Sequence, residues 1–479
     1  MKDILIFLSD QHSPLYSGFS GGKARTPAFD RLCRQGLRFD NCYTPCPLCV
    51  PARMALLSGR LPSENGVMTN QDALSDLTPT FLYPFVAVGY ETVLIGRMHF
   101  VGRDQRHGFT RRIAPDMTPV TWNRPVEKLK KERGVFDGTF DARGCVRVIG
   151  GGESPVLHYD EMVVQAALNY LAQPHARPQL IVVGTYAPHF PYVAPPALYQ
   201  EYRGQVSLPP FFHQTPDYMN PILKARKNTV DEETVLSAQA AYLGMITYTD
   251  GLVEKVEAAF ANFVQKRGSE SLFCYLSDHG DQVGERDIFG KCTFFETSAK
   301  VPMILKGTGI AAGKRRLTPC SLLDVGPTLC AWAGVESLPQ AEGIDLLSAS
   351  EGNQQRMIVS QMLESEQSRP RCALMLRKDQ YKYMVYSGYE SQEILFDVDS
   401  DPGETANLAK RMPQITATFR QYAQRHFDFA HIEREQMERK RIIGWMQSWE
   451  QLAGEDDSER WQDNPESAKQ YPIIRGGKV

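Results

Sequence analysis

The chain contains 479 residues, more than one hydrophobic core usually supports, so a large domain accompanied by a smaller one is expected. Its composition is that of an ordinary globular protein, with 42% hydrophobic and 23% charged residues. The formal net charge of −3 gives no support to nucleic-acid binding or to attraction by a membrane, so any anion must be bound in a local pocket.

The N-terminal residues form an apolar run too short for a signal peptide, and no stretch reaches the length of a membrane span. We therefore expect a cytoplasmic protein whose ten cysteines are mostly reduced thiols. Cys46 and Cys49 have C-x-x-C spacing, but flanking prolines break the strand that a thioredoxin-like redox pair would need. A zinc site would require a second pair of ligands at similar spacing, and the sequence contains none.

The first predicted element is a strand over Ile4–Leu8, a continuous apolar run typical of a buried parallel strand. Asp10 and Gln11 follow directly. Ligands of α/β proteins lie beyond the carboxyl ends of such strands, so Asp10 is placed to bind a metal, although a turn or helix cap is the commoner role. A helix that begins at Pro27 and stops at Gly36 comes next.

A second predicted helix follows the sequence L-C-V-P-A-R. Pro51 suits its first position and Gly59 can end it. Cys49 would then lie just outside the helix N-terminus, where free N–H groups and the macrodipole attract anions. Arg53, one turn in, offers a forked donor to an oxyanion, and Asn70 in the following loop could donate to it as well.

The next strand end also carries polar side chains. A helix over Thr78–Gly89 and a strand over Tyr90–Ile95 lead to Arg97 and His99. Because one residue separates these two side chains, they point the same way and could share a site. Residues 103–155 have weak periodicity, and we interpret them as a long excursion that bounds a substrate pocket.

His189 follows a predicted strand over Gln179–Thr185 and lies between two prolines. The prolines fix its backbone, as the position of a general acid requires. Farther along, a strand over Ser271–Ser277 is followed at once by Asp278 and His279, which repeats the arrangement at Asp10. Lys291 comes shortly after.

From about residue 357 the pattern changes to short strands joined by polar turns, at Cys372–Arg377, Tyr381–Tyr386 and Ile394–Val398. Helices are predicted over Pro413–Phe427 and Glu433–Trp449. We expect a catalytic domain at 1–355, an antiparallel subdomain at 356–430 and a helical or irregular tail at 431–479. The tail could wrap another subunit, which would give a homo-oligomer, or it could cover its own domain.

Polar residues follow several strands of one predicted sheet, and this recurrence is hard to explain without a shared cleft. The expected fold is α/β: a large mixed, mostly parallel sheet sandwiched by helices, with a smaller antiparallel α+β subdomain at the C-terminus.

The order of motifs over residues 1–410 resembles the type I sulfatase family, the sulfatase branch of the alkaline phosphatase superfamily. The motifs are C-x-P-x-R with L-S-G-R after it, G-R-M-H, A-P-H-F-P, S-D-H-G-D, G-K and L-F-D-V-D-S-D-P-G-E-T-A-N-L-A. The resemblance implies an alkaline phosphatase-like fold and hydrolysis of a small-molecule or saccharide sulfate ester. It also implies that Cys49 is oxidised to formylglycine, an aldehyde that hydrates to a diol, by a formylglycine-generating enzyme.

The resemblance further implies one divalent cation, held by Asp10, Asp278, His279 and the modified Cys49. Gln11 occupies the position of a second metal-binding aspartate, so it is either a weaker ligand or a donor to the substrate. Gln11 together with His279 looks like the choline sulfatase and phosphonate monoester hydrolase subgroup. A nitrogen ligand makes Mn²⁺ more plausible relative to Ca²⁺, which prefers oxygen.

The implied chemistry assigns a role to each remaining motif residue. The sulfate oxygens would be neutralised by the cation and by four side chains: Arg53, Arg97, Lys291 and Asn70. One hydroxyl of the diol would attack sulfur, and His189 with Lys291 would protonate the departing alcohol. His99 would then deprotonate the second hydroxyl, which expels sulfate and restores the aldehyde.

Three alternatives stay open. The same site could hydrolyse a phosphonate monoester or a phosphodiester, whose electrostatics are close to those of a sulfate ester. A thiol enzyme with Cys49 as a low-pKa nucleophile is less consistent with the spacing, because cysteine phosphatases place the arginine six positions after the cysteine whereas Arg53 is four after Cys49. A non-catalytic binding protein would result if Cys49 is never oxidised, and the mass of its peptide distinguishes that case.

Overall fold

In a computed structural model of the protein, the residues described are 1–122, 144–348, 356–454 and 460–461. Three sequence-based expectations therefore fall partly outside the described residues: the excursion at 103–155, the domain boundary at 355 and the tail after 454. None of the helices in the described ranges combines the length and apolarity that crossing a bilayer requires.

The secondary structure alternates strands and helices over the first two thirds of the chain. The strands are β1 (Lys2–Asp10), β2 (Leu37–Tyr43), β3 (Glu91–Gly96), β4 (Arg111–Arg112), β5 (Ile149–Gly151), β6 (Gln179–Pro188), β7 (Tyr192–Ala194), β8 (Glu270–Ser277), β9 (Lys300–Gly307), β10 (Lys314–Arg316), β11 (Cys320–Ser321), β12 (Ile358–Glu366), β13 (Arg369–Lys378), β14 (Tyr381–Tyr386) and β15 (Ile394–Asp397). The helices are α1 (Pro27–Gln35), α2 (Cys49–Ser58), α3 (Pro62–Asn65), α4 (Leu82–Ala87), α5 (Pro155–Leu171), α6 (Pro196–Arg203), α7 (Pro221–Ala225), α8 (Glu232–Arg267), α9 (Glu296–Ala299), α10 (Val325–Ala333), α11 (Pro413–His426) and α12 (Phe429–Ala453).

The central sheet has the strand order β10-β2-β9-β8-β1-β6-β3-β4, with β11 also paired to β2. β1 lies inside it and runs parallel to both β8 and β6. β9, by contrast, runs antiparallel to β8 and β2. The predicted mixed, mostly parallel sheet is therefore confirmed.

Side chains of β1 alternate between two cores, one on each face of the sheet. Ile4, Ile6 and Leu8 pack with residues of α2, α4 and α10. Leu5 and Phe7 pack with residues of α1, α5 and α8. Because helices cover both faces, β1 is apolar along most of its length, and this is the pattern from which a buried parallel strand was predicted.

The second sheet is antiparallel, with the order β12-β13-β14-β15. On one face Met375 and Met384 pack against the large domain, including Phe295. On the other face Leu376 packs with Phe419 of α11. The predicted C-terminal antiparallel subdomain is confirmed as an architecture, and β12 is an additional strand that the sequence pattern did not predict.

β2 and α4 also differ from the predicted elements. β2 was missed because its buried residues alternate with half-exposed polar ones, such as Arg38 and Asp40, so no apolar run marks it. The helix predicted over Thr78–Gly89 begins only at Leu82. The N–H of Phe81 donates to the carbonyl of Leu57 in α2, and this tertiary contact holds the preceding residues outside the helix.

Candidate active site

Polar side chains from four neighbouring strands meet at one edge of the central sheet. Asp10 ends β1, Arg97 follows β3, His189 follows β6, and Asp278 and His279 follow β8. β8, β1, β6 and β3 are adjacent and parallel, so their carboxyl ends lie together. All five side chains are buried. The structure thus brings these predicted site residues into one cleft.

Cys49 lies at the same place but is positioned differently from the sequence-based expectation. It is the first residue of α2, with extended Leu48 as the cap, rather than a residue outside the helix. Its sulfur is buried and lies 3.0 Å from Lys291 Nζ, 3.2 Å from His279 Nε2 and 3.9 Å from Asp10 Oδ1. The side chain of residue 49 is therefore surrounded by cationic, imidazole and carboxylate groups.

Four side chains in this cluster could hold a metal ion: Asp10, Cys49, Asp278 and His279. They offer ligand atoms that all lie within 4.8 Å of one another. His279 donates from Nδ1 to the carbonyl of Gly280 at 3.1 Å, so Nε2, which lies 3.2 Å from the Cys49 sulfur, is the ring nitrogen that could bind a metal. Two carboxylates, an imidazole nitrogen and the side chain of residue 49 form a donor set that fits a divalent cation.

The two residues expected to bind substrate through amides make other contacts here. The side-chain oxygen of Asn70 accepts the N–H of Val50 at 3.0 Å, so it caps the start of α2. The side-chain oxygen of Gln11 accepts from Lys291 Nζ at 2.9 Å, and its amide nitrogen donates to Asp281. Gln11 thus links a buried carboxylate to the lysine of the site.

Two buried arginines bind the carboxylates of the cleft. Arg53 donates from Nε to Asp278 Oδ2 at 2.8 Å and from Nη2 to Asp10 Oδ2 at 3.0 Å. Arg97 donates from Nε to the same Asp10 oxygen at 2.6 Å. Burial and the nearby Cys49 raise the pKa of Asp10, but Arg97 and Arg53 help to hold that pKa well below its usual value. The Asp10 carboxylate is therefore ionised and paired despite its burial.

Asp116 is a residue of the site that the sequence interpretation missed. It accepts from Arg97 Nη1 at 3.1 Å and from the backbone N–H of His99 at 2.7 Å. Arg97 also donates from Nη2 to His99 Nδ1 at 2.9 Å, so neutral His99 carries its proton on Nε2. Asp116 lies within 103–155 between two prolines, the same signal that marked His189.

Lys291 joins the groups expected to handle protons. His189 donates from Nδ1 to the carbonyl of Phe190 at 2.7 Å and accepts at Nε2 from Lys291 Nζ at 2.5 Å. Burial and Lys291 lower the pKa of His189 to about 4. Burial raises the pKa of Cys49, but Lys291 and His279 outweigh it and bring that pKa well below its usual value.

A second carboxylate that the sequence interpretation missed, Asp160 of α5, binds the backbone just before His189. It accepts the N–H groups of Tyr186 and Ala187 at 2.6 Å and 2.8 Å, at the end of β6. Burial raises its pKa to about 7 in spite of these two hydrogen bonds. No sequence signal indicated this role, because Asp160 lies inside a helix and its partners are distant in the chain.

We expect the pH dependence of stability to report on Asp160. The folded chain binds its proton more tightly than the unfolded chain, so its contribution is fully present below the usual pKa of 3.8 and is lost as the pH rises to about 7. The melting temperature of Asp160→Asn should therefore rise relative to that of the unchanged protein as the pH increases from 3.8 to about 7. Calorimetry at a series of pH values measures it, and a constant difference would contradict this assignment.

Sequence-family profiles, a known relative and solved structures all resemble this chain over most of its length. A sequence-family profile described as Sulfatase matches residues 2–335, and one described as N-sulphoglucosamine sulphohydrolase, C-terminal, matches residues 284–428. Choline-sulfatase of Rhizobium meliloti (strain 1021) is 32% identical, with 98% of each chain covered. Among solved structures, a 2-O GAG sulfatase has a TM-score of 0.68 at 22% identity, covering 98% of each chain. The phosphonate monoester hydrolase of Agrobacterium radiobacter has a TM-score of 0.70 at 18% identity, covering 88% of this chain and 94% of the other.

Proposed function

Because the chain belongs to the sulfatase family and is a sulfuric ester hydrolase, we propose that it cleaves a sulfate monoester at the carboxyl edge of its central sheet, with formylglycine made from Cys49 as the nucleophile. The observation that carries this proposal is the gathering of Cys49 with Asp10, Asp278 and His279, whose ligand atoms lie within 4.8 Å of one another. A formylglycine-generating enzyme would be the partner that matures residue 49.

The sulfate group would be bound by buried positive charge. Arg53 and Arg97 bind Asp10, which lies 3.9 Å from the Cys49 sulfur, and Lys291 contacts that sulfur directly, so all three would donate to oxygens of an anion bound there. The four clustered side chains would hold one divalent cation, Ca²⁺ or Mn²⁺, which supplies further charge neutralisation when bound. Hydrated formylglycine supplies a hydroxyl nucleophile.

Lys291 and His189 would protonate the departing alcohol. The hydrogen bond between them supports Lys291 as the group that carries the proton, because His189 donates from Nδ1 to Phe190 and its Nε2 would accept from the ammonium group. Lys291 also contacts residue 49, so its proton lies beside the position that the sulfate ester would occupy. A proton delivered there neutralises the alkoxide as the sulfur–oxygen bond breaks.

His99 would take a proton from the side chain of residue 49 in the second half of the reaction. It lies near Cys49 and is held by Arg97 and Asp116. In the observed arrangement Nδ1 accepts from Arg97 and Nε2 carries the ring proton, so His99 would act as a base at Nε2 only after that proton has moved to Nδ1 and the hydrogen bond from Arg97 has been released. Asp116, which accepts the backbone N–H of His99, would hold this backbone at the site during that change.

A substrate panel tests the proposed reaction. We expect a higher kcat/KM for sulfate monoesters than for phenylphosphonate monoesters, because the relative at 32% identity is a sulfatase. Choline sulfate, an aryl sulfate and sulfated saccharides should be compared in parallel, with release of inorganic sulfate as the readout. Faster hydrolysis of the phosphonate ester would instead establish the alternative substrate class for the same site.

A further inference from the structure

Lys291 lies in the connection between β8 and β9, on a loop from Arg286 to Glu296 whose two ends are bound by the C-terminal sheet and the turn after it. Arg286 is the first residue of this loop, and Glu296 is the last. Their partners are Lys382 of β14 and Glu404, which belongs to the D-P-G-E sequence that follows β15. The function proposed above assigns no role to this late motif.

Lys382 is fully buried and ties the end of the loop to the turn. Its Nζ donates to the carbonyl of Phe294 at 2.7 Å and to Glu296 Oε1 at 2.8 Å, and it forms an ion pair with Glu404. Glu404 Oε2 in turn accepts the backbone N–H of Glu296 at 2.8 Å. Loss of one charge would leave the others buried and incompletely paired, so these groups are held in one arrangement.

Arg286 ties the start of the loop to the same turn. Its Nη2 donates to the carbonyls of Gly403 at 2.7 Å and Glu404 at 3.1 Å. Its Nε donates to the hydroxyl of Tyr218 at 3.1 Å, and that hydroxyl donates to the Glu404 carbonyl at 2.7 Å. Arg286 and Glu404 both have positive φ angles, 58° and 53°, which non-glycine residues adopt only when their surroundings impose them.

The middle of the loop contacts the segment that carries Cys49. The N–H of Cys292, the residue after Lys291, donates to the carbonyl of Pro47 at 3.0 Å. The loop is therefore held at both ends by the second sheet and its turn, and in its middle by the approach to α2. Between these contacts, Lys291 reaches the sulfur of Cys49 at 3.0 Å.

We propose that Glu404, together with Lys382 and Arg286, is a positioning residue for Lys291, so that the C-terminal sheet and its D-P-G-E turn set the geometry of proton delivery in the large domain. This inference rests on the proposed role of Lys291. Lys291 Nζ now lies 3.0 Å from the Cys49 sulfur. A shift of this ammonium group by much less than that distance would weaken its alignment with the leaving oxygen. The effect should grow as the leaving alcohol becomes a poorer leaving group, because poor leaving groups depend most on protonation.

The test uses Glu404→Gln, which preserves shape and one acceptor for the Glu296 N–H but removes the charge opposite Lys382. We expect kcat/KM for an alkyl sulfate to fall about tenfold and that for 4-nitrophenyl sulfate to fall less than about threefold. Lys291→Ala should show the same selective loss to a greater degree. In the Lys291→Ala background, Glu404→Gln should produce no further selective loss, because the two residues act in one chain of contacts.

Two further variants separate positioning from general damage. Arg420→Gln breaks an exposed ion pair with Glu393 in the same subdomain and should leave kcat/KM for both substrates unchanged. Tyr218→Phe removes one hydroxyl while keeping the ring, so it tests the same contacts if Glu404→Gln folds poorly, and it should show a smaller selective loss. Equal loss on the two substrates in Glu404→Gln and Tyr218→Phe would overturn the proposal. If Lys291→Ala lowers kcat/KM equally for the two substrates, both the positioning proposal and the proton role of Lys291 are overturned. If the selective loss occurs in Lys291→Ala but not in Glu404→Gln or Tyr218→Phe, only the positioning role is overturned.

Discussion

Replacing Cys49 with alanine is expected to lower sulfate ester turnover by at least about 10³-fold while the protein stays folded. Residue 49 lies at the centre of the cleft, in contact with Lys291 and His279. Alanine has no group that could attack sulfur. Among the described residues we assign no other side chain as a nucleophile at this position. Steady-state kinetics with an aryl sulfate, together with a melting curve of each protein, measure the effect.

The neighbouring Cys46 provides a matched control. It is also fully buried, and burial raises its pKa well above the usual value, so its thiol is unreactive. Cys46→Ala should therefore retain turnover. In the unchanged protein, the peptide containing Cys49 should be lighter than its cysteine form because a thiol-bearing carbon has become an aldehyde. Full activity with an unchanged peptide mass would point instead to the thiol itself as the nucleophile.

Asp278→Asn is expected to lower turnover by about 10²-fold or more and to remove the response of the protein to a divalent cation. Asp278 belongs to the four-residue cluster and also accepts from Arg53 at 2.8 Å. The amide keeps the shape but has no charge and places hydrogens where a ligand atom is needed. The melting temperature of EDTA-treated protein should rise on addition of CaCl₂ or MnCl₂, and the variant should show no such rise.

Asp250→Asn is the control for this experiment. Asp250 is another buried carboxylate, and its two oxygens accept the N–H groups of Ala28 and Phe29 at 3.0 Å and 2.8 Å, apart from the contacts of the cleft. Its replacement should change the baseline melting temperature but leave the cation-induced rise intact. An equal cation response in Asp278→Asn and Asp250→Asn would remove Asp278 from the proposed ligand set.

The parts of the site that could be predicted from sequence are those that local patterns determine. The continuous apolar run of β1 indicated a strand covered on both faces, and Asp10 follows from where that run ends. The start of α2 was predicted two residues too late, because Pro51 was assigned to the first helical position. Its missing N–H is tolerated equally at the third position, since the first four N–H groups of a helix have no intrahelical acceptor.

The parts that could not be predicted depend on contacts between distant segments. Asp116 and Asp160 act through backbone groups and arginines that only the folded sheet brings near them. Likewise, the charge pairs of Lys382 join the second sheet to α9 and to the turn after β15, and each residue alone resembles an ordinary surface charge in the sequence. Periodicity identifies a strand or a helix, but it contains no information on which buried polar groups will satisfy one another.

Cys49 begins α2 and Arg53 lies one turn farther along it, so the helix fixes the direction of one side chain relative to the other. A helix advances about 100° per residue, so a spacing of four brings the two side chains back to nearly the same azimuth. One inserted residue between them would swing the guanidinium fork away from Asp10 and Asp278, both of which it now reaches. The four-residue spacing in C-x-P-x-R therefore matches about one helical turn, which keeps the side chains of Cys49 and Arg53 on the same side of α2.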